Sequence, residues 1–202
     1  MEKGFGDHHP LPGGRERYEV RFHGRGGQGT VVASVLLAEA AFLEGRGVQA
    51  FPFFGVERRG APVVAYTRIG EGPVRLGGSI TQPDALVVMD TSLLVGLKDT
   101  WRQGLRPGGV VLLNRGSVPN NLRPLMDSIH IHHIDAATIA LRHHLGSAAN
   151  PLVNTVVLGA FARVTGIVSL QALEDAVRTR IPGQFVENLD AMHEAWDEVE
   201  ES

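Results

Sequence analysis

Four of the six residues in Gly24-Arg25-Gly26-Gly27-Gln28-Gly29 are glycine, and the segments on either side limit what the chain can fold into. Ahead of them, Tyr18, Val20 and Phe22 alternate with Glu19, Arg21 and His23, the two-residue period of a strand. Behind them, Val31, Val35, Leu36, Ala38, Ala41 and Phe42 recur at helical spacing over residues 30–44, and Gly45 follows as a stop. Strand, glycine turn and helix in succession form the opening unit of an α/β sheet. Gly24, Gly26 and Gly29 also carry the G-x-G-x-x-G spacing, in which glycines let backbone N–H groups approach a phosphate at the positive end of the helix. Arg25 is placed to add a charge-assisted contact. Two uses of the turn stay open: close strand–helix packing alone, or a phosphate-bearing ligand held from Gly24 to Thr30. A nicotinamide or flavin site also needs an acidic residue at the end of the second strand, and Val48-Gln49-Ala50-Phe51 has none.

Residues 46–54 read as a second strand interrupted at Pro52, and residues 62–69 as a third that forms a hairpin with residues 74–76. Continuous apolar runs at 85–90 and 110–114 suit strands covered on both faces, and 129–134 adds another. Helices are expected over 136–145, 152–164, 170–180 and 185–198. Helices alternate with strands early and accumulate late. The expected fold is α/β, a Rossmann-like, mostly parallel sheet with an antiparallel hairpin and a C-terminal helical layer. Residues 1–17 read as a flexible leader and residues 18–202 as a single domain.

With 43% hydrophobic and 20% charged residues, the chain has the apolar material for a core. Its 19 basic and 22 acidic residues leave a net charge of −3, which gives no electrostatic footprint for nucleic acid. No window reaches membrane-span length and no signal peptide is evident, so a cytoplasmic location is expected. The absence of cysteine excludes disulfides, a thiol nucleophile and iron–sulfur ligation by this chain. No G-x-S-x-G elbow occurs and no P-loop lysine follows the glycines, which removes hydrolase and nucleotidase readings.

A second motif, residues 51–62 (FPFFGVERRGAP), sets aromatics beside an acid and two arginines. Taken with the glycine loop, the strand at 62–69, the run Asn154-Thr155-Val156-Val157-Leu158-Gly159-Ala160-Phe161-Ala162 and the run Thr165-Gly166-Ile167-Val168-Ser169-Leu170, it closely resembles the gamma subunit, or gamma domain, of 2-oxoacid:ferredoxin oxidoreductases. Similarity spans residues 18–186. Arg25, Gln28 and the 51–62 run look most like the pyruvate branch. The 2-oxoglutarate, 2-oxoisovalerate and indolepyruvate branches are the neighbouring alternatives.

The resemblance implies an enzyme of several subunits. Alpha and beta components hold thiamine diphosphate and Mg2+, a delta component carries [4Fe–4S] clusters, and a 2-oxoacid with coenzyme A yields acyl-CoA, carbon dioxide and reduced ferredoxin. The gamma component supplies no catalytic residue or redox centre and is silent alone. By this resemblance Gly24, Arg25, Gly26, Gly27, Gln28, Gly29 and Thr30 would position coenzyme A phosphates. Phe54, Glu57, Arg58 and Arg59 would line a subunit contact or steer the anionic ligand. Two further readings remain: a free-standing Rossmann-like domain binding NAD or FAD, and a purely structural subunit.

Of nine histidines, His130, His132 and His133 share a strand and His143 and His144 a helix end. His130 and His132 lie on one strand face, but a metal would need a third ligand from elsewhere, so no metal site is assigned. Asp90, at a strand end, would either touch a ligand in the sheet crevice or cap Thr91 and Ser92.

Overall fold

The computed structural model describes residues 10–53, 60–74, 78–96, 101–115 and 128–201. Strand β1 (Arg17–Arg25) leads through the glycine loop into α1 (Thr30–Leu43). β2 (Gly47–Phe53) lies at the sheet edge, and β3 (Pro62–Gly70) fits between β2 and β1, antiparallel to both. β4 (Ala85–Val88), α2 (Ser92–Gly96), β5 (Val110–Asn114) and β6 (His130–Ile134) follow, and their strands add in parallel on the other side of β1. α3 (Ala136–Arg142), a small hairpin of β7 (Gly146–Ser147) and β8 (Asn150–Pro151), and then α4 (Asn154–Thr165), α5 (Leu170–Arg180) and α6 (Phe185–Glu198) make the C-terminal third. β9 (Glu200–Glu201) closes the far edge against β6.

The sheet order is β2-β3-β1-β4-β5-β6-β9, parallel from β1 to β6. The α/β sheet with an antiparallel hairpin and a C-terminal helical layer is the expected architecture. The hairpin partner differs: β3 pairs with β2 on one side and β1 on the other, and Val74 belongs to no strand. Of the expected partner, residues 75–76 lie outside the described residues. Register explains the change, because Gly70 faces Gly47 and Arg17 at once and the full nine residues of β3 are satisfied by these two neighbours.

The helices α1 and α3–α6 cover one face, where Phe22, Leu36, Leu112, Phe161 and Leu173 meet in one apolar core. α1 must be apolar nearly all round because it lies on the sheet and beneath α5. α4 and α6 approach closely at Gly159, where an added Cβ would fall 2.1 Å from the Met192 carbonyl oxygen. The other face is covered by α2 and the segment from Trp101, with Leu86, Val88, Leu94, Val111, Leu113 and Ile131.

The expected leader does not hang free over its last part. Leu11 is fully buried in the main core and its N–H donates to Glu71 Oε1 at 2.7 Å, while Arg15 pairs with buried Asp84. Residues 1–9 lie outside the described residues. Among the described residues no helix is long and apolar enough to cross a membrane.

Candidate functional site

The glycine loop keeps its shape by continuing the sheet ladder beyond the strand. Gly26 N–H donates to the Ala61 carbonyl at 2.9 Å, and Gly60 N–H donates back to Gly26 at 3.1 Å. Gly27 and Gly29 have φ of +102° and +79°, a region that residues with a Cβ rarely enter. At Gly24 the constraint is contact, since a Cβ would come within 2.1 Å of Thr30 Oγ1. That hydroxyl is buried and has no hydrogen-bond partner among the described residues. Ala33 N–H is bonded to the Gly29 carbonyl at 2.8 Å, so the first turn of α1 keeps its N–H groups for a ligand or water.

Arg25 and Gln28 support the loop from within. Gln28 Oε1 accepts from the Arg25 N–H at 2.8 Å, and Gln28 N–H donates to the Arg25 carbonyl at 3.1 Å. The Arg25 guanidinium donates to Asp90 Oδ2 at 3.0 Å, to the Gly60 carbonyl at 3.0 Å and to Ser92 Oγ at 2.8 Å. Asp90 in turn accepts from the Ser92 N–H at 2.9 Å, as a cap does, and also from the Ser92 hydroxyl. Of the two roles expected for Asp90, the structure shows the cap, at Ser92, and adds a link to Arg25 that the sequence reading missed. The two residues end neighbouring parallel strands, a relationship that appears only once β1 and β4 are paired.

An open cleft of about 770 Å³ lies beside the loop. One wall is Arg25, Gly26, Gly27, Gly29 and Thr30; the others bring Asn154 and Arg180, with Val31, Val32, Val63, Leu152 and Ile181 as apolar lining. Asn150 Nδ2 donates to the Gly27 carbonyl at 3.1 Å, and Asn154 packs against Gly29 so closely that a Cβ there would sit 2.8 Å from its Nδ2. α4 starts at Asn154, so the N-termini of α1 and α4 meet at this cleft. Two positive helix ends and two arginines over an apolar floor suit a phosphorylated ligand with an apolar portion.

Asn150, Asn154 and Arg180 escaped the sequence reading as site residues. Asn154 stood in the quoted helical run, but nothing local marks it as the neighbour of Gly29, more than 120 residues earlier. Phe54, Glu57, Arg58 and Arg59 lie outside the described residues; Gly60, which follows them, is bonded to Gly26.

The parts of a dinucleotide site are arranged otherwise. The carboxyl ends of β1 and β4, where an open α/β sheet forms its ligand crevice, are bridged by Arg25 and Asp90. β2 is an antiparallel edge strand without a carboxylate for a ribose. His132 and His133 of β6 pair with β9: His133 Nε2 lies 3.6 Å from Glu200, and burial pushes the His132 imidazole below its ordinary pKa. His143 contacts Glu194 at 2.5 Å. Among the described residues no three potential ligands are grouped for a metal.

Comparison with known proteins places these features in a family setting. The profile described as Pyruvate ferredoxin/flavodoxin oxidoreductase matches residues 19–198. The Pyruvate/ketoisovalerate oxidoreductases common subunit gamma of Pyrococcus furiosus is 48% identical over 187 residues, covering 90% of this chain and 97% of that protein. Pyruvate synthase subunit PorC of Methanothermobacter thermautotrophicus is 47% identical over 183 residues, covering 90% and 96%. The crystal structure of pyruvate oxidoreductase subunit PORC from Thermotoga maritima superposes with a TM-score of 0.78 at 36% identity, over 93% of this chain and 99% of that one.

Proposed function

The chain belongs to the pyruvate ferredoxin/flavodoxin oxidoreductase family, and from that membership we propose that it is the gamma subunit of a thiamine diphosphate-dependent pyruvate:ferredoxin oxidoreductase and forms part of the coenzyme A site. The observation that carries the coenzyme A assignment is the cleft at the glycine loop, where two helix N-termini and Arg180 face an apolar lining. Coenzyme A has both chemistries, a diphosphate with a ribose phosphate and a long pantetheine arm.

In the assembled enzyme, pyruvate and coenzyme A would give acetyl-CoA, carbon dioxide, a proton and two electrons for ferredoxin. Thiamine diphosphate and Mg2+ would sit in the alpha and beta subunits, and the [4Fe–4S] clusters in the delta subunit. This chain has no cysteine thiolate to hold a cluster. Its part is to bind and orient: the first turn of α1 and the Gly27 region meet phosphate oxygens, while Arg25, already bonded to Asp90, Ser92 and Gly60, keeps the loop in shape. Gly24, Gly26, Gln28, Gly29 and Thr30 complete that loop. Phe42, Phe53 and Val186, exposed to 61%, 54% and 62%, are side chains that subunit interfaces would cover.

The name of the Pyrococcus furiosus relative describes one gamma subunit common to pyruvate and ketoisovalerate enzymes. Accordingly we assign the choice of 2-oxoacid to partner subunits. The test is purification of the complex through an affinity-tagged copy of this chain, followed by coenzyme A-dependent ferredoxin reduction with pyruvate and 2-oxoglutarate in parallel. Copurification of thiamine-binding and iron–sulfur subunits with preference for pyruvate supports the reading. A folded chain that emerges alone, carrying NAD or FAD, overturns it.

A further inference from the structure

We propose that the side-chain amide of Asn154 donates to a phosphate oxygen of coenzyme A, at the point where the N-termini of α1 and α4 meet. This rests on the coenzyme A reading of the cleft and names a contact which that reading leaves open. Two asparagines reach the glycine loop from the C-terminal third, and they are engaged differently. Asn150 Nδ2 donates to the Gly27 carbonyl at 3.1 Å. Asn154 lines the cleft and is only 8% exposed. Its Oδ1 accepts from the Thr155 N–H at 2.9 Å, while its Nδ2 has no hydrogen-bond partner among the described residues.

Contact fixes where this donor lies. A Cβ added to Gly29 would fall 2.8 Å from Asn154 Nδ2 and 3.0 Å from its Cβ, so the amide stands directly against the residue that opens α1. Neither Gly29 nor Val153, the residues that precede α1 and α4, caps its helix with a side chain, and none of the described residues lining the cleft is acidic. Two positive helix ends without a carboxylate favour an anion from outside. Capping alone does not account for the amide. An aspartate at this position would accept from the Thr155 N–H through the same oxygen and would add the negative charge that both helix ends favour. The amide forgoes that charge and offers a donor, and a buried donor is costly until an acceptor reaches it.

The experiment measures equilibrium binding of coenzyme A to the assembled enzyme without 2-oxoacid, and the melting temperature of the same assembly without coenzyme A, for wild type, Asn154→Ser, Asn154→Asp and, elsewhere in the cleft lining, Val32→Glu. Asn154→Ser should keep the cap, leave the melting temperature unchanged and weaken coenzyme A by about tenfold. Asn154→Asp should melt at the same temperature or higher and weaken coenzyme A further, by about a hundredfold. That order is the reverse of what a capping role predicts, since the best cap becomes the poorest binder. Wild-type affinity in Asn154→Ser, or binding by Asn154→Asp at least as tight as by Asn154→Ser, overturns the Asn154 contact; if Val32→Glu still weakens coenzyme A, the cleft reading stands without it. If wild type binds no coenzyme A, or if none of the three variants changes its affinity, the cleft reading falls as well.

Discussion

Arg25 Nε lies 3.0 Å from Asp90 Oδ2, and this contact ties the end of β1 to the end of β4 at the place where an α/β sheet opens its ligand crevice. With Ser92 and Gly60 sharing the guanidinium, Arg25 braces the glycine loop and also lines the cleft.

The brace predicts a measurable coupling. Because the two side chains are 35% and 20% exposed, solvent screening limits the pair, and a double-mutant cycle with Arg25→Met and Asp90→Asn should give about 1 kcal/mol, falling with added salt. Urea denaturation of the four proteins checks it. A coupling near zero at low salt would mean that the contact does not hold the loop.

Glycine contacts predict a contrast between two substitutions to alanine. At Gly159 the new methyl would meet the Met192 carbonyl at 2.1 Å, backbone that cannot yield without separating α4 from α6. Gly159→Ala should therefore cost at least about 2 kcal/mol, as overpacking does. Gly72 has open space and no positive φ, so Gly72→Ala should stay within about 0.5 kcal/mol. Chemical denaturation of both variants gives the comparison.

His23 predicts a pH dependence. Burial, with Arg21 beside it, holds its imidazole down at about 4, and the neutral ring accepts from Arg21 Nε at 3.1 Å. The unfolded chain takes up this proton near pH 6.5 and the folded chain only near pH 4, so folding stability falls as pH drops through that window. The loss attributable to this residue is about 3 kcal/mol by linkage. His23→Gln should flatten the stability profile between pH 6.5 and 4 relative to wild type. Parallel slopes in the two proteins would refute the assignment.

The same strand shows where sequence reading stops. Alternation of Tyr18, Val20 and Phe22 with Glu19, Arg21 and His23 identified β1, and ordinarily such a pattern leaves the polar face in water. Here both faces are buried. Glu19 pairs with Arg68 of β3 at 2.8 Å, and Arg21 donates to the Trp101 and Gln103 carbonyls, each at 2.9 Å. Those partners lie 49 to 82 residues away, so local pattern cannot reveal them. The glycine loop was legible because its strand, turn and helix are contiguous. Asn150, Asn154 and Arg180 were not, because the cleft exists only after the C-terminal helices pack on α1. The hairpin was legible in kind and not in partner, since the pairing of β3 with β2 on one side and β1 on the other depends on register along the whole strand.

The buried pair on that face predicts a large cost for one-sided removal. Arg68 also donates to Gln49 Oε1 and to the Gly78 carbonyl, each at 2.9 Å, and lies over the Phe51 ring. Glu19→Ala removes this carboxylate from the buried guanidinium and should destabilise by about 3–5 kcal/mol. A thermal melt showing no shift would contradict it.

The most direct test of the proposed coenzyme A site is the apparent KM for coenzyme A in the assembled enzyme carrying Val32→Glu. Val32 lines the cleft, is 42% exposed and stands in the first turn of α1, where a carboxylate suits the helix. The variant should assemble normally, and charge repulsion should raise KM for coenzyme A by about tenfold or more while KM for pyruvate stays within about twofold. An assembled variant whose KM for coenzyme A equals that of wild type would contradict the placement of coenzyme A at this cleft.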